Sequence, residues 1–180
     1  MVDLSTHYMG FHLKNPLIIA SSGLTKSVAK IKEFEEKGAA AIVLKSIFEE
    51  QIMMDVNNTL SFPDSYNVNP EAFDYVSELM TGNAVSEYMQ LIREAKKAVS
   101  IPVFASINCV SLDEWVDIAR DIEEAGADGL ELNVFIMPNK LDISSQEHEQ
   151  MYFDIIEKVT GSISIPVALK LGYYFSSLVH

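Results

Sequence analysis

Cysteine is almost absent: Cys109 is the only one in 180 residues. A single thiol excludes an intrachain disulfide framework and a zinc site built from several cysteines. Positive charge is scarce too, with 13 lysines and arginines against 26 acidic residues and a formal net charge of -13. Such a balance argues against nonspecific binding to nucleic acid or anionic lipid, both of which need a basic surface. No apolar run approaches the ~20 residues that span a bilayer, so no membrane partner is expected. The opening residues, MVDLST, lack a basic region followed by an apolar one. No secretory signal is visible there, and a cytoplasmic location is expected. Glycine fingerprints are missing as well: neither GxGxxG nor GxxxxGKS/T occurs, which leaves a Rossmann dinucleotide site and a P-loop unsupported. His7, His12, His148 and His180 are scattered and lack HExxH spacing, so no metal site is expected.

What the chain does have is enough apolar residues to bury one core, and a single domain over residues 1–180 is expected. Five short, β-rich apolar runs recur, at residues 16–22, 40–46, 102–108, 129–135 and 166–172. Each is nearly continuous in apolar residues, as strands covered on both faces are. Helical patterns lie between them. Residues 27–37 place Val28, Ile31 and Phe34 on one side and stop at Gly38. Residues 85–99 space Tyr88, Met89, Ile92, Ala95 and Val99 as one stripe. Ser111 to Glu114 reads as a capping box opening a helix that runs to Glu124 and stops at Gly126. Residues 146–159 close the set, with Met151, Ile155, Ile156 and Val159 expected inward.

Strand and helix therefore alternate, which means a parallel sheet with crossover helices. Two phrases echo each other: Glu36 to Ala39 (EKGA) with Glu124 to Ala127 (EAGA), and Ser100 to Val103 (SIPV) with Ser164 to Val167 (SIPV). A repeated βα unit produces such echoes, and so does turn chemistry common to all α/β folds. Residues 4–14 alternate around Met9-Gly10, as a small hairpin plugging the bottom of a barrel would. Residues 47–82 show no stable period and read as a long functional loop. Two architectures fit: a doubly wound open sheet, or part of a (β/α)8 barrel. At the observed spacing, eight units need about 300 residues, within the range of full barrels. No helix follows the fifth run before His180, so a barrel reading implies one truncated to about five βα units.

Polar side chains gather where these strands end. The first run ends in Ser21-Ser22-Gly23, the second in Lys45-Ser46, the third in Ser106-Ile107-Asn108; the fourth carries Glu131 and Asn133, and the fifth Lys170. An unpaired lysine is expensive to bury. Two of them on two strands point to a shared anionic partner, to pairing with Glu131, or to side chains that reach out of the sheet. Cys109 reads as an inert thiol, since nothing nearby in sequence lowers its pKa. The acidic clusters Glu33, Glu35, Glu36 and Glu147, Glu149 read as solvated helix faces, and the methionines, Met53-Met54 included, as packing.

With these strand-end residues in order, the chain resembles the class 1 dihydroorotate dehydrogenases, flavin enzymes built on a (β/α)8 barrel. The resemblance is carried by residues 4–16 (LSTHYMGFHLKNP) running into Ala20 to Gly23 (ASSG), then VLKS at 43–46, ELN at 131–133, MPN at 137–139 and VALKLG at 167–172. It covers essentially the whole chain but little more than the first half of a family member. It implies flavin mononucleotide (FMN) as cofactor and hydride transfer to or from a small planar substrate of the pyrimidine type. The backbone around Ala20, Ser21 and Gly23 would lie against the flavin. Lys45 and Ser46 would contact the ring, and Lys170 would approach its pyrimidine edge, where a cation stabilises the reduced anion. Asn133 would bridge flavin and substrate, Asn139 would hydrogen-bond the substrate with Lys45 nearby, and Ser106 and Asn108 would line the flavin.

Four departures from the family pattern stand out. Met137 occupies the position where family members carry a Cys or Ser base, and a thioether is no base, so no catalytic residue is assigned. The stretch from Asn133 to Asn139 is one residue longer than the family motif. The Asn-rich substrate loop after the second strand has no clear counterpart among Asn57, Asn58, Asn67 and Asn69, and the phosphate-binding loops of the family's last strands fall outside this chain. Two readings follow: an FMN-dependent oxidoreductase, or a non-catalytic truncated barrel that binds a partner. A homo-oligomer or a completing chain is expected in either case, because open sheet edges invite pairing.

Overall fold

Thr6–Tyr8 (β1) and Phe11–Leu13 (β2) pair antiparallel, with Tyr8 opposite Phe11. Two residues close the turn, Met9 at φ 49° and Gly10 at φ 81°. Positive φ at both central positions matches the right-handed twist of the strands. Met9 tolerates this uncommon conformation while its side chain packs beneath the sheet against Leu13, Ala41, Val43 and Phe104. The predicted hairpin is therefore present, and it sits as a plug. A computed structural model describes residues 2–48, 70–108, 112–134 and 143–172 of the chain.

Beyond the hairpin the elements are Ile18–Ile19 (β3), Val28–Glu36 (α1), Ala41–Val43 (β4), Ile47–Phe48 (β5), Pro70–Ala98 (α2), Val103–Asn108 (β6), Leu112–Glu124 (α3), Gly129–Asn133 (β7), Ser145–Thr160 (α4) and Val167–Lys170 (β8). All five predicted strands occur. They pair parallel in the order β3-β4-β6-β7-β8, with β5 also on β6. This order decides between the two architectures. A doubly wound sheet reverses direction at a switch point, whereas here each new strand joins beside its predecessor, as in a barrel. The helices follow suit, each packing against the next in line along one side of the sheet. The result is a curled half-barrel.

The two faces of the sheet carry separate clusters. Ile42, Leu44, Val103, Ala105, Ile107, Leu130 and Leu132 face the helices, which contribute Ile31, Ile92, Trp115, Ile122 and Val159. The lumen side holds Ala41, Val43 and Phe104, capped by the hairpin. Tyr8 and Phe11 meet Phe104 edge-on, with centroids 5.8 and 5.7 Å away. Strand residues alternate between these environments.

Several expectations need correction. Residues 47–82 are not one loop, because β5 occupies 47–48 and α2 begins at Pro70. Proline suits the first helical position, where its missing N–H goes unused. Gly82 and Asn83, poor helix formers inside the helix, are what blurred its period. In α4 the buried stripe is His148, Tyr152, Ile155 and Val159, while Met151 is 42% exposed. The inward face is rotated from the one expected, since the apolar Met151 faces out and the polar His148 faces in. Helix α4 opens with a capping box: Ser144 accepts from the Glu147 N–H, and Glu147 accepts from the Ser144 N–H and hydroxyl. The capping box expected at Ser111 and Glu114 lies outside the described side chains.

Glu35 is more than solvated surface. Its carboxylate accepts from the Ser100 N–H and hydroxyl and from the Ile101 N–H, at 2.8, 2.7 and 3.2 Å. Glu123 holds Ser164 and Ile165 in the same way, with N–H distances of 2.8 and 3.2 Å. The echoing phrases are thus bonded to each other: a glutamate just before each EKGA or EAGA phrase clamps the matching SIPV phrase. In both units the helix ends at a glycine in left-handed conformation, Gly38 at φ 100° and Gly126 at φ 92°.

Candidate active site

The site begins with a register fault. Val43 pairs with Phe104, yet Ile47 pairs with Ile107. Residues 44–46 therefore lie opposite 105–106, an extra residue that makes a bulge, a rare feature in parallel pairs. Leu44 and Ile47 both face the helices. A regular strand would place one residue between them; the bulge places two, Lys45 and Ser46. The Ser46 hydroxyl comes to 2.7 Å from the Ser106 hydroxyl. Ser106 lies two residues beyond Phe104 and so shares the lumen face with it.

A bulge strands backbone groups on the neighbouring strand. Phe104 C=O still accepts from the Leu44 N–H at 2.8 Å. One step on, both backbone groups of Ser106 are served by a side chain instead. The Tyr88 hydroxyl of α2 donates to the Ser106 carbonyl at 3.1 Å and accepts from its N–H at 2.9 Å. Burial pushes the Tyr88 phenol above its ordinary range, so it remains a neutral donor.

From Ser46 a polar chain crosses the strand ends. The Ser46 N–H donates to Ser21 Oγ at 2.9 Å, and the two hydroxyls are 3.0 Å apart. The Ser106 hydroxyl donates to Glu131 Oε1 at 3.0 Å, between residues that pair directly in β6 and β7. The same carboxylate oxygen lies 3.7 Å from Lys170 Nζ on β8. Ser46 and Ser106 are buried, the Glu131 side chain is 17% exposed and that of Lys170 50% exposed. Asn133 pairs in register with Lys170.

Five side chains, Ser21 just past β3, Ser46 between β4 and β5, Ser106 on β6, Glu131 on β7 and Lys170 on β8, are thus linked at the C-terminal ends of the strands. That is the end where parallel barrels place ligands. Of the expected residues, Asn108 ends β6 and Asn133 ends β7, one step past the last β6–β7 pair, Ile107–Leu132. Lys45 is half-buried inside the bulge. Ala20 and Gly23 are exposed beside Ser21, and Gly23 opens a single 3-10 turn capped by Ser22. Of the three alternatives for Lys170, pairing with Glu131 is the one observed. Met137, Asn139, Asn57, Asn58, Asn67, Asn69 and Cys109 lie outside the described residues. Two participants were missed. In sequence Glu131 reads as a possible counter-ion but not as a site residue, and Tyr88 reads as an apolar stripe position. The available signal was the Tyr88 hydroxyl itself, which needs a partner wherever it is buried.

The chain chemically offers an ammonium, a carboxylate, hydroxyls and two amides along one rim, a set that suits a planar heterocycle with carbonyl and N–H edges. Among the described residues no group of three or more His, Cys, Asp or Glu is placed to hold a metal. None of their helices is long and apolar enough to cross a membrane.

Comparison with known proteins bears on the family and the fold. The profile of the family described as dihydroorotate dehydrogenase matches residues 3–177. The chain is 29% identical over 182 residues to the dihydroorotate dehydrogenase B (NAD(+)) catalytic subunit of Thermoplasma acidophilum, covering 99% of this chain and 57% of that protein. The corresponding subunit of Thermoplasma volcanium is 28% identical over 190 residues, with the same coverage. A putative dihydroorotate dehydrogenase A (fumarate) of Aeropyrum pernix is 27% identical, covering 95% of this chain and 54% of that one. The chain therefore spans little more than half the length of these relatives. Among solved structures, dihydrodipicolinate synthase from Agrobacterium tumefaciens superposes with a TM-score of 0.52 at 16% identity, covering 89% of this chain and 46% of that one. YagE of E. coli, a prophage protein of the dihydrodipicolinic acid synthase family, gives 0.50 at 15%, covering 85% and 43%. At such identities these matches bear on the fold alone.

Proposed function

The chain belongs to the dihydroorotate dehydrogenase family, and on that premise we propose that it forms the ring-binding half of an FMN-dependent oxidoreductase that passes hydride between the flavin and a small planar substrate, a pyrimidine by preference. The observation that carries this reading is the bonded rim from Ser21 to Lys170. The donor set fits the ring of the cofactor. Ammonium and amide N–H groups suit its carbonyl edge, while hydroxyl and carboxylate oxygens suit an N–H. Bound there, FMN supplies the hydride acceptor.

The chain's own residues do the positioning. Lys170 places a positive charge where negative charge accumulates on reduction. Asn133, beside it in register, orients the substrate together with Lys45 and Asn139. Ser46, Ser106 and Asn108 line the ring, and the backbone at Ala20, Ser21 and Gly23 closes against it. The proton-transfer residue is not assigned, since Met137 stands at the position from which the resemblance would draw it.

A second reading concerns assembly. Val167, Ala168 and Leu169 of β8 are only partly buried, and Leu171 just beyond is 45% exposed. Among the described residues β3 and β8 each pair along one side only. The curated relatives are named as catalytic subunits. We therefore assign this edge to a completing chain segment, a partner subunit or a second copy, without which the unit serves as a binding fragment.

Titration of the purified chain with FMN tests the first reading. The oxidised flavin band near roughly 450 nm should shift and its fluorescence quench, and Lys170→Gln should weaken binding about ten-fold, the cost of a charged hydrogen bond. No spectral change at any FMN concentration, or equal affinity in Lys170→Gln, would overturn it.

A further inference from the structure

The rim has a direction. A serine hydroxyl carries one proton, and Ser106 spends its proton on Glu131 Oε1. Ser106 can then only accept from Ser46, whose oxygen is 2.7 Å away. Ser46, having donated, can only accept from Ser21 at 3.0 Å. The Ser46 N–H meanwhile donates back to Ser21 Oγ. The hydroxyl protons of Ser21, Ser46 and Ser106 thus all point toward one carboxylate. Glu131 is fixed on the serine side, yet the oxygen that receives the Ser106 proton is also the one nearest Lys170.

We propose that Glu131 is the positioning residue of this rim: anchored by the directed serine chain, its carboxylate holds the Lys170 ammonium at the mouth and sets how much of that charge a bound ring experiences. The proposal rests on the flavin reading only for its second half. Lys170 is long, half-exposed and rich in rotamers. A fixed counter-charge restricts where its ammonium goes and offsets part of its field. Removing the carboxylate frees the ammonium and leaves the mouth more positive, which favours an anionic reduced ring over the neutral oxidised one.

The first test needs no cofactor. Parent, Glu131→Gln and Ser106→Ala are treated with an amine-acylating reagent, and modification of Lys170 is followed by peptide mass spectrometry, with exposed Lys97 as internal reference. Glu131→Gln keeps an oxygen that can accept from Ser106 but loses the charge. Lys170 should react about three-fold faster in it, within the range of a partly exposed ion pair, while Lys97 is unchanged. Ser106→Ala keeps the charge and loses the anchor, and should give a smaller acceleration. Should Glu131→Gln fail to fold, as judged by circular dichroism, Ser106→Ala carries the comparison alone. Equal Lys170 rates in parent and the folded variants overturn the proposal.

The second test is the reduction potential of added FMN. Glu131→Gln should move it to more positive values, Lys170→Gln to more negative ones, and the double variant should lie near the parent. An unmoved potential in Glu131→Gln overturns the electrostatic half. A chain that binds no flavin defeats the proposed function instead and leaves the labelling rates to decide the role of Glu131.

Discussion

Tyr88 shows how one hydroxyl holds a site without belonging to its chemistry. The bulge at 44–46 deprives Ser106 of strand partners, and the phenol replaces both of them from the helix layer. Replacing Tyr88 with Phe keeps the ring in its apolar setting and deletes only the oxygen. A buried donor and acceptor then go unmet, at about 1–3 kcal/mol for each group left without compensation. We expect Tyr88→Phe to lower stability in urea by about 2 kcal/mol, since some relaxation or water entry recovers part of the loss. The amide of Ser106 should also exchange with deuterium far faster in the variant. An unchanged urea midpoint together with unchanged Ser106 protection would show that the bulge satisfies its own backbone. Glu33 makes the opposite point. Hydrogen bonds from Lys30 and Lys37 hold its carboxyl down at about 2, but the side chain is open to water, 38% exposed, and solvent screening leaves it little weight in stability.

Helices and strands are tied together by the glutamate clamps, and these make stability depend on pH. Burial works against ionisation of Glu35, but hydrogen bonds from Ser100 and Ile101 outweigh it and hold the carboxyl below the ordinary range. For Glu123 the Ser164 hydroxyl, followed by its N–H, has the same effect. A carboxyl depressed in the folded state contributes stability above its unfolded pKa, about 4.3 for glutamate, and loses it as pH falls through the folded value. Urea midpoints should therefore drop on acidification below roughly pH 4. In the double variant Glu35→Gln, Glu123→Gln the midpoint should be lower at neutral pH and the acid drop shallower; a drop as steep as the parent's would exclude the clamps as its source. Their sequence trace was half visible. The EKGA/EAGA and SIPV echoes are plain in the chain, but the bond joining each pair runs between a helix and the loop entering a strand, 65 or 41 residues away. No local period reports such a contact. For the same reason all five strands and the hairpin were legible from apolar runs and turn residues, whereas the bulge was not, because a register fault exists only between two strands. The first half of α2 escaped for a local reason, the Gly82-Asn83 interruption, whereas its second half was legible as the stripe from Tyr88 to Ala95. At the site, Ser21, Ser46, Ser106 and Lys170 were legible as strand-end polar residues. The bonds that join them through Glu131 follow from pairing Ser106 with Glu131 across β6 and β7, which sequence alone does not align.

The half-barrel is a layered object: helices outside, a curled sheet, a hairpin plug at the bottom of the lumen and a polar rim at the top. Parallel pairing puts all five strand ends at the same mouth, and so a rim of separate residues becomes one connected group. The plug and the rim share the same strands. Phe104 rests on the hairpin two residues before Ser106, and Gly129 lies beneath Glu131 on the same face. The lumen floor is tight at this point. A Cβ on Gly129 would stand 2.8 Å from Met9 Cε, 2.9 Å from the Pro166 carbonyl and 3.1 Å from Phe104 Cδ1. The methionine can swing away, but the Pro166 carbonyl is held by the Leu130 N–H at 2.9 Å and cannot. Gly129→Ala should therefore push β7 from β8 or the hairpin from the sheet, at about 1–3 kcal/mol for overpacking. Because β7 carries Glu131 and β8 carries Lys170, the same substitution should disturb the pair two strand positions above it. A melting temperature lowered by several degrees, with faster Lys170 acylation, is the expected result. A variant that melts with the parent and labels with the parent would mean that the floor yields through Met9 alone and that plug and rim are mechanically independent.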